Sequence, residues 1–397
     1  MKQLLAYCLS IILCVSFTGC MENYLDLYPE DKITSASFPE NESDIKLLLN
    51  GVYAQLREKE VYNQGLFGFG ITDGATPNAF NWGTDEVFNK LGAGRLSSSD
   101  GGVVTYRWKR CYEIISRANY LLACMDLVDL SEEAKAKYSG ETHFLRGLAY
   151  SVLAETYGGV PIILTDISTE EARSLKRASL EETWQQALDD YEVAITNLGV
   201  DAPEPGRATK GAALGMKMRA YLYQGKYKEV LSCVEQIDAL KKYGLFHSYE
   251  GLFDPANENN KEVLFDIQYI EGENSQGSYI DQYCGTGTGS WTRGSRYVPT
   301  DDLVAAYETI DGSPVDPENP YENRDPRLGF TAVLPGSYFL GYRFPNYLYP
   351  GGAFNHAGNR LKHLSTRKYR IQDESKLPPS GQSYINDIIL RYADVLL

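Results

Sequence analysis

Positive charge is what this 397-residue chain lacks most: 38 Lys and Arg stand against 53 Asp and Glu, a formal net charge of -15. Nucleic acid needs a Lys/Arg surface to neutralise its phosphates, so this balance excludes it as a natural partner. Histidine is scarce too, and His143, His247, His356 and His363 have no metal-ligand spacing. There is no CxxC and no Cys/His cluster among the seven cysteines, which argues against a zinc site or a disulfide framework. Cys111 and Cys124 fall on one predicted helix, about 20 Å apart at 1.5 Å per residue, too far to bridge. With Cys233 and Cys284 they read as free or buried thiols. No P-loop, GxSxG, HExxH or DxDxDG-type calcium loop occurs. The run CGTGTGS at 284–290 lacks the GxGxxG spacing and does not lie between a strand and a helix. No cofactor and no metal is therefore expected.

Long apolar runs are also missing, except at the N-terminus. Lys2 precedes the apolar run Leu4–Phe17, which has signal-peptide length and is short for a membrane span. It ends in Phe17-Thr18-Gly19-Cys20, small residues before a cysteine as in a bacterial lipobox. The expectation is a signal peptide over 1–19, cleavage before Cys20, lipid on its sulfur, and an extended tether over 20–40. Acyl chains would then supply the membrane affinity.

What the chain does have is helical periodicity and tyrosine, with 30 Tyr beside 14 Phe and 4 Trp. The stretch 141–164, ETHFLRGLAYSVLAETYGGVPIIL, places Leu145, Leu148, Val152 and Leu153 on one face. Its small residues Gly147, Ala149, Ser151 and Ala154 let another helix come close. Gly158 and Gly159 stop the helix and Pro161 forbids its continuation. Other helices are predicted over 41–57, 104–125, 131–157, 179–198, 209–224 and 226–240. Asn41 or Ser43 caps the first, and Ser179 with Glu182 forms a capping box. The pair across Gly225, with Met218, Tyr221, Tyr227 and Val230, fits a tetratricopeptide hairpin with Val230 in place of the usual Ala. The fold class is mostly α: irregular tetratricopeptide-like hairpins in an α-α superhelix over 41–242, with a loop-rich irregular lobe over 243–397. That lobe carries a β-like run at 263–269 and a modest helix at 300–309 capped by Thr300. It ends in an amphipathic helix over 386–397 on which Ile388, Ile389, Tyr392, Val395 and Leu396 share a face. The chain stops inside that helix, which reads as a truncation.

Several segments together resemble a known family. They are Cys20 followed by YLDLYPEDKITSASF, WKRCYEIISRAN at 108–119, FLRGLAYSVLAETYGGVPII at 144–163, GRATKGAALGMKMRAYLYQGKY at 206–227, YVPTDDLVAAYETIDGSPV at 297–315, NRDPRLGFTAVLPG at 323–336 and ILRYADVLL at 389–397. In this order they resemble the SusD/RagB family of Bacteroidota outer-membrane nutrient-binding lipoproteins. The resemblance implies a non-catalytic, surface-exposed, lipid-anchored glycan binder on the outer membrane. Its partner would be a TonB-dependent, SusC-like transporter, with the helices facing the transporter and irregular loops carrying the sugar site.

Loop chemistry points the same way. Sugars offer apolar C–H faces and a hydroxyl rim, so a binder combines flat aromatics with amide, carboxylate or guanidinium groups. Two aperiodic segments hold such sets: Asp73, Asn78, Asn81 and Trp82 in one, and Tyr279, Asp281, Tyr283, Trp291 and Arg293 in the other. A loop tryptophan either anchors its loop or offers its face to a ligand, and both roles fit Trp82 and Trp291. Trp108 and Trp184 lie on apolar helical faces and read as core. Two rival readings stand beside the binder. A glycoside hydrolase would use a carboxylate pair drawn from Asp73, Asp85, Asp281 or Asp301. A pure interaction scaffold would leave the aromatic loops idle.

Overall fold

A computed structural model describes residues 38–57, 73–81, 90–270, 277, 278, 280, 297–343, 364–379 and 382–397. The first part is helical: α1 (Glu42–Tyr53, continued by a 3-10 turn Ala54–Arg57), α2 (Val103–Cys124), α3 (Glu132–Tyr157), α4 (Thr169–Ser174), α5 (Leu180–Asn197), α6 (Lys210–Tyr223) and α7 (Tyr227–Ala239). The starts are written in the sequence. Asn41, Ser131, Ser179 and Thr209 each accept hydrogen bonds from first-turn amides, and Ser179 with Glu182 closes the expected capping box. The short α4 falls in a stretch read as plain connection. Six residues carry no apolar stripe, and only its Ser168–Glu171 capping box marks it.

The central element is α3, packed against α2, α5 and α1. From Phe144 to Ala154 every residue is buried, so the helix is covered on more than one side. Gly147 makes this possible on the α5 side: a Cβ there would lie 3.0 Å from the Tyr191 ring and 3.1 Å from the Ala187 carbonyl oxygen. The two glycines that end α3 differ in purpose. Gly158 has φ +76° with open space around it, whereas a Cβ on Gly159 would lie 2.0 Å from the carbonyl oxygen of Ala178. The first stops the helix, and the second lets the returning backbone pass. The hairpin α6–α7 turns at Gly225, φ +69°.

Charge inside the bundle is paired. Arg146 of α3 meets Asp190 of α5, with Nη2 to Oδ1 at 2.7 Å, and donates from Nη1 to Asn119 Oδ1 of α2 at 2.8 Å. Asn119 Nδ2 in turn donates to the Ile163 carbonyl at 3.0 Å. Three helices and the segment after α3 are thus held by one buried network. Nearby, Tyr53 donates to Glu141 Oε2 at 2.7 Å, and burial raises that carboxyl above its ordinary range.

The later residues form two-stranded sheets and short helices. Strand β1 (Ala79–Asn81) pairs with β3 (Tyr297–Pro299), β2 (Val263–Ile267) with β8 (Asp387–Arg391), β4 (Ala332–Val333) with β7 (Ser365–Thr366), and β5 (Tyr338–Phe339) with β6 (Tyr342–Arg343), all antiparallel. Between them lie α8 (Asp301–Ala306) and α9 (Arg327–Thr331), and α10 (Tyr392–Leu396) follows β8. The expected strand near 263–269 and the Thr300-capped helix are present. The expected helix over 386–397 is corrected: Asp387–Arg391 is a strand, and only Tyr392–Leu396 is helical. Long-range pairing with β2 outweighs the local helical spacing, and Ile388 and Ile389 are β-branched.

This β2–β8 sheet belongs to the main core, because Leu264, Phe265, Ile267, Ile389 and Leu390 are buried together with the helical residues. Helix α6 lies directly on it. A Cβ on Gly215 would stand 2.2 Å from Leu390 Cδ2, so the helix comes as close as a glycine permits.

Candidate ligand-binding cavity

The first candidate loop is held by its own backbone. Asp73 opens a 3-10 turn, and its carbonyl accepts from Thr76 N at 2.9 Å and Thr76 Oγ1 at 2.7 Å. Asn78 N donates to Thr76 Oγ1 at 3.1 Å, and the chain enters β1. In the β1–β3 ribbon Ala79 faces Pro299, Phe80 faces Val298 and Asn81 faces Tyr297. Thr300 clips the loop at the ribbon's end. Its amide donates to the Asn78 carbonyl at 3.1 Å, its hydroxyl donates to the Pro77 carbonyl, and the same oxygen accepts from Leu303 N to cap α8. Ile280 packs with Ala79 and Tyr369. Ile280, next to Tyr279 in sequence, thus stands beside the first loop.

Ile280 and this loop border a cavity of about 280 Å³. Asp73, Asn78 and Ala79 line it from the first loop, Ile280 from the second segment and Pro299 from β3. Strand β8 contributes Asp387, Ile388, Ile389 and Arg391, α6 contributes Arg219, and Lys368 and Tyr369 complete the wall. Arg391 donates from Nη1 to Glu262 Oε1 at 2.8 Å, while its amide donates to Asp394 Oδ2 at 2.8 Å. Arg219 donates from Nη2 to the Ile389 carbonyl at 2.9 Å, tying α6 to β8 at the cavity's edge.

Two neighbours in this wall are unusual. Tyr369 has φ +58°, a conformation a bulky residue rarely adopts. Its ring meets Phe253 edge-on at 4.8 Å, and burial raises its phenol far above the ordinary range. Lys368 places Nζ 4.4 Å from the Phe253 ring centroid and 5.4 Å from that of Tyr369. Its ammonium is pushed down to about 8, first by burial and then by Arg391, against the opposing pull of Asp73, Asp394 and Asp387. Both residues also line a second cavity of about 250 Å³, with Phe253, Arg367 and Arg370, in which Arg367 pairs with Glu250 at 2.9 Å.

Of the residues expected to bind ligand, Asp73 and Asn78 stand at the cavity. Asn81 is placed by its backbone in β1. Trp82, Tyr279, Tyr283, Trp291 and Arg293 lie outside the described residues, as does Cys20. Trp184 is buried, and Trp108 is half-buried against Tyr112 and Tyr157. Asp301 sits in the first turn of α8, where the helix dipole favours it. Arg219, Lys368, Tyr369, Asp387 and Arg391 were not anticipated. Reading 386–397 as one helix hid the strand that carries Asp387 and Arg391, and Lys368-Tyr369 lies in sequence without any period. Among the described residues no group of three or more His, Cys, Asp or Glu could hold a metal ion.

Stacked helical hairpins supporting a loop-built cavity with amide, carboxylate, cationic and aromatic groups define a helical-repeat protein with a cavity among its loops. Within that class, the chain belongs to the SusD family. Residues 23–222 match the SusD-like model described as starch-binding associating with outer membrane, and residues 261–397 match the SusD_RagB model of the SusD family. SusD-like protein P25 of Formosa agariphila is 26% identical over 321 residues, covering 75% of this chain and 58% of the relative. A SusD-like protein of Bacteroides ovatus is 23% identical over 278 residues, covering 64% of this chain and 48% of the relative. The chain thus spans about half the length of these relatives. A SusD-like carbohydrate binding protein from Bacteroides fragilis superposes with TM-score 0.78 at 27% identity, over 89% of this chain and 72% of that one. A laminarin binding SusD-like protein shares the fold with TM-score 0.64 at 19% identity, over 90% of this chain and 79% of that one.

Proposed function

We propose that this protein binds oligosaccharide at the cell surface and delivers it to a SusC-like, TonB-dependent transporter without cleaving it. Lipid on Cys20 would hold it at the outer membrane, and among the described residues no helix is long and apolar enough to cross one. The observation that carries the reading is the β1–β3 ribbon. It brings Asn78 and Ala79 of the first loop and Pro299 of β3 to the wall of one cavity, beside Ile280. The family and the carbohydrate-binding relative with a similar fold support the same ligand class.

The cavity's chemistry suits a sugar. Asn78 and Asp73 can bridge vicinal hydroxyls, while Tyr369, Ile280 and Ile388 offer apolar surface to ring C–H groups. The test is retention of the soluble form lacking Cys20 on immobilised polysaccharides, with reducing ends assayed in parallel. Retention with no new reducing ends supports the reading. New reducing ends would replace it with hydrolysis, and lack of retention on every polysaccharide would overturn it.

A further inference from the structure

We propose that the cavity is built for an acidic sugar, a residue bearing a carboxylate or sulfate, whose anionic group pairs with Lys368. The inference rests on the oligosaccharide-binding reading and names the class of sugar.

Lys368 is the cation in this wall whose ammonium has neither a hydrogen bond nor a close counterion among the described residues, and Asp73, Asp394 and Asp387 act on it only at longer range. Arg391 is committed to Glu262, and Arg219 to the Ile389 carbonyl. Among the described residues Lys368 makes no ion pair, and its ammonium faces the rings of Phe253 and Tyr369. A lysine ammonium has three donors, and ring faces satisfy its charge only in part. The side chain also borders both cavities, so a group entering from either side meets it.

The charges acting on it are Arg391 and Asp387 on β8, Asp394 on α10 and Asp73 on the first loop; Arg219 of α6 lines the same cavity, and Glu250, Asp254, Arg367 and Arg370 line the second. The acids have their own engagements: Asp394 accepts from the Arg391 amide, and Asp73 and Asp387 have partners as well. A bound anion would supply the close counterion that none of these groups gives Lys368. The chemistry also predicts a proton count. Burial and Arg391 hold the Lys368 amine down to about 8, so near pH 8.5 a large share is neutral. An anion beside it favours the charged form, and binding must then draw a proton from solution.

Isothermal titration calorimetry of the soluble protein tests this with three ligand sets of matched length. They are neutral oligosaccharides, oligouronides and sulfated oligosaccharides, each run at pH 6.5 and pH 8.5 in two buffers of different ionisation enthalpy. The expected result is at least tenfold tighter binding of one acidic set than of the neutral set. Proton uptake is expected at pH 8.5 and little at pH 6.5. Lys368→Gln should erase both the preference and the uptake, and Lys368→Arg should keep the preference while losing the uptake. The uronide and sulfate arms identify which anion is taken. Neutral ligands binding as tightly as acidic ones in the wild-type protein would overturn the acidic-sugar inference while leaving oligosaccharide binding intact. Acidic preference without proton uptake at pH 8.5 would also overturn the role of Lys368. No binding in any set would count against the oligosaccharide reading itself.

Discussion

Arg146 and Asp190 form a buried pair in the middle of the helical bundle, 7% and 2% exposed, with Arg146 Nε within 3.2 Å of both carboxylate oxygens and Nη2 at 2.7 Å from one. Removing one partner leaves the other charge without water and without a counterion. Asp190→Ala should therefore cost about 3–5 kcal/mol of unfolding free energy, measured by denaturant titration. Asp190→Asn keeps the shape and one acceptor and should cost less. Equal loss in the two variants would show that charge, not shape, matters at this position.

The two glycines after α3 predict different penalties. Gly158→Ala meets no neighbour but must hold an unfavourable φ, a cost of about 1–3 kcal/mol. Gly159→Ala drives a methyl into the backbone at Ala178 and Ser179, which cannot rotate away. The expected order of melting temperatures is wild type, then Gly158→Ala, then Gly159→Ala. A Gly159→Ala protein as stable as wild type would contradict the close backbone crossing.

Thr300 uses one hydroxyl to cap α8 and to hold the Asp73–Asn78 loop. Thr300→Val should lose about 1 kcal/mol for the cap and should weaken oligosaccharide retention further than stability alone explains. Retention is measured under conditions where circular dichroism shows the variant fully folded. Unchanged retention would separate the loop from the site.

Stability should fall as pH rises from 5 to 8. Asp266 is raised to about 6, chiefly by burial, and Glu258 to about 7, by burial with added repulsion from Asp266 and Asp254. A carboxyl whose folded value lies above its unfolded value contributes stability while protonated, and loses it as pH climbs through the folded value. Both groups hold Asn386, whose amide donates to Glu258 at 2.7 Å and whose Nδ2 donates to Asp266 at 3.3 Å. Melting temperature should thus be higher at pH 5 than at pH 8, and Asp266→Asn should narrow the gap. A rising melting temperature across this window in the wild-type protein would refute the assignment.

The helical half was legible because its information is local. Caps at Asn41, Ser179 and Thr300, the apolar spacing from Leu145 to Leu153 and the turn at Gly225 all act within a few residues of themselves. The strand Asp387–Arg391 was not legible, since its partner β2 lies far away in sequence and its apolar residues also satisfy a helical period. The cavity followed the same division. Asp73 and Asn78 stood out as polar groups in an aperiodic loop. Lys368, Arg219 and Arg391 come from three unrelated elements, and only the tertiary fold sets them side by side.

The β2–β8 pairing has a temporal consequence. The hairpins α2 to α7 can take shape as the chain emerges, for their contacts are mostly between neighbours. Val263 must then wait for Arg391 before the sheet on which α6 rests can close. Until that moment Leu264 and Phe265 have no partner strand, and the newborn protein exposes a sticky seam. The segment between those two strands, which carries Ile280, Pro299, Lys368 and Tyr369 of the cavity wall, is closed into a loop only when they pair.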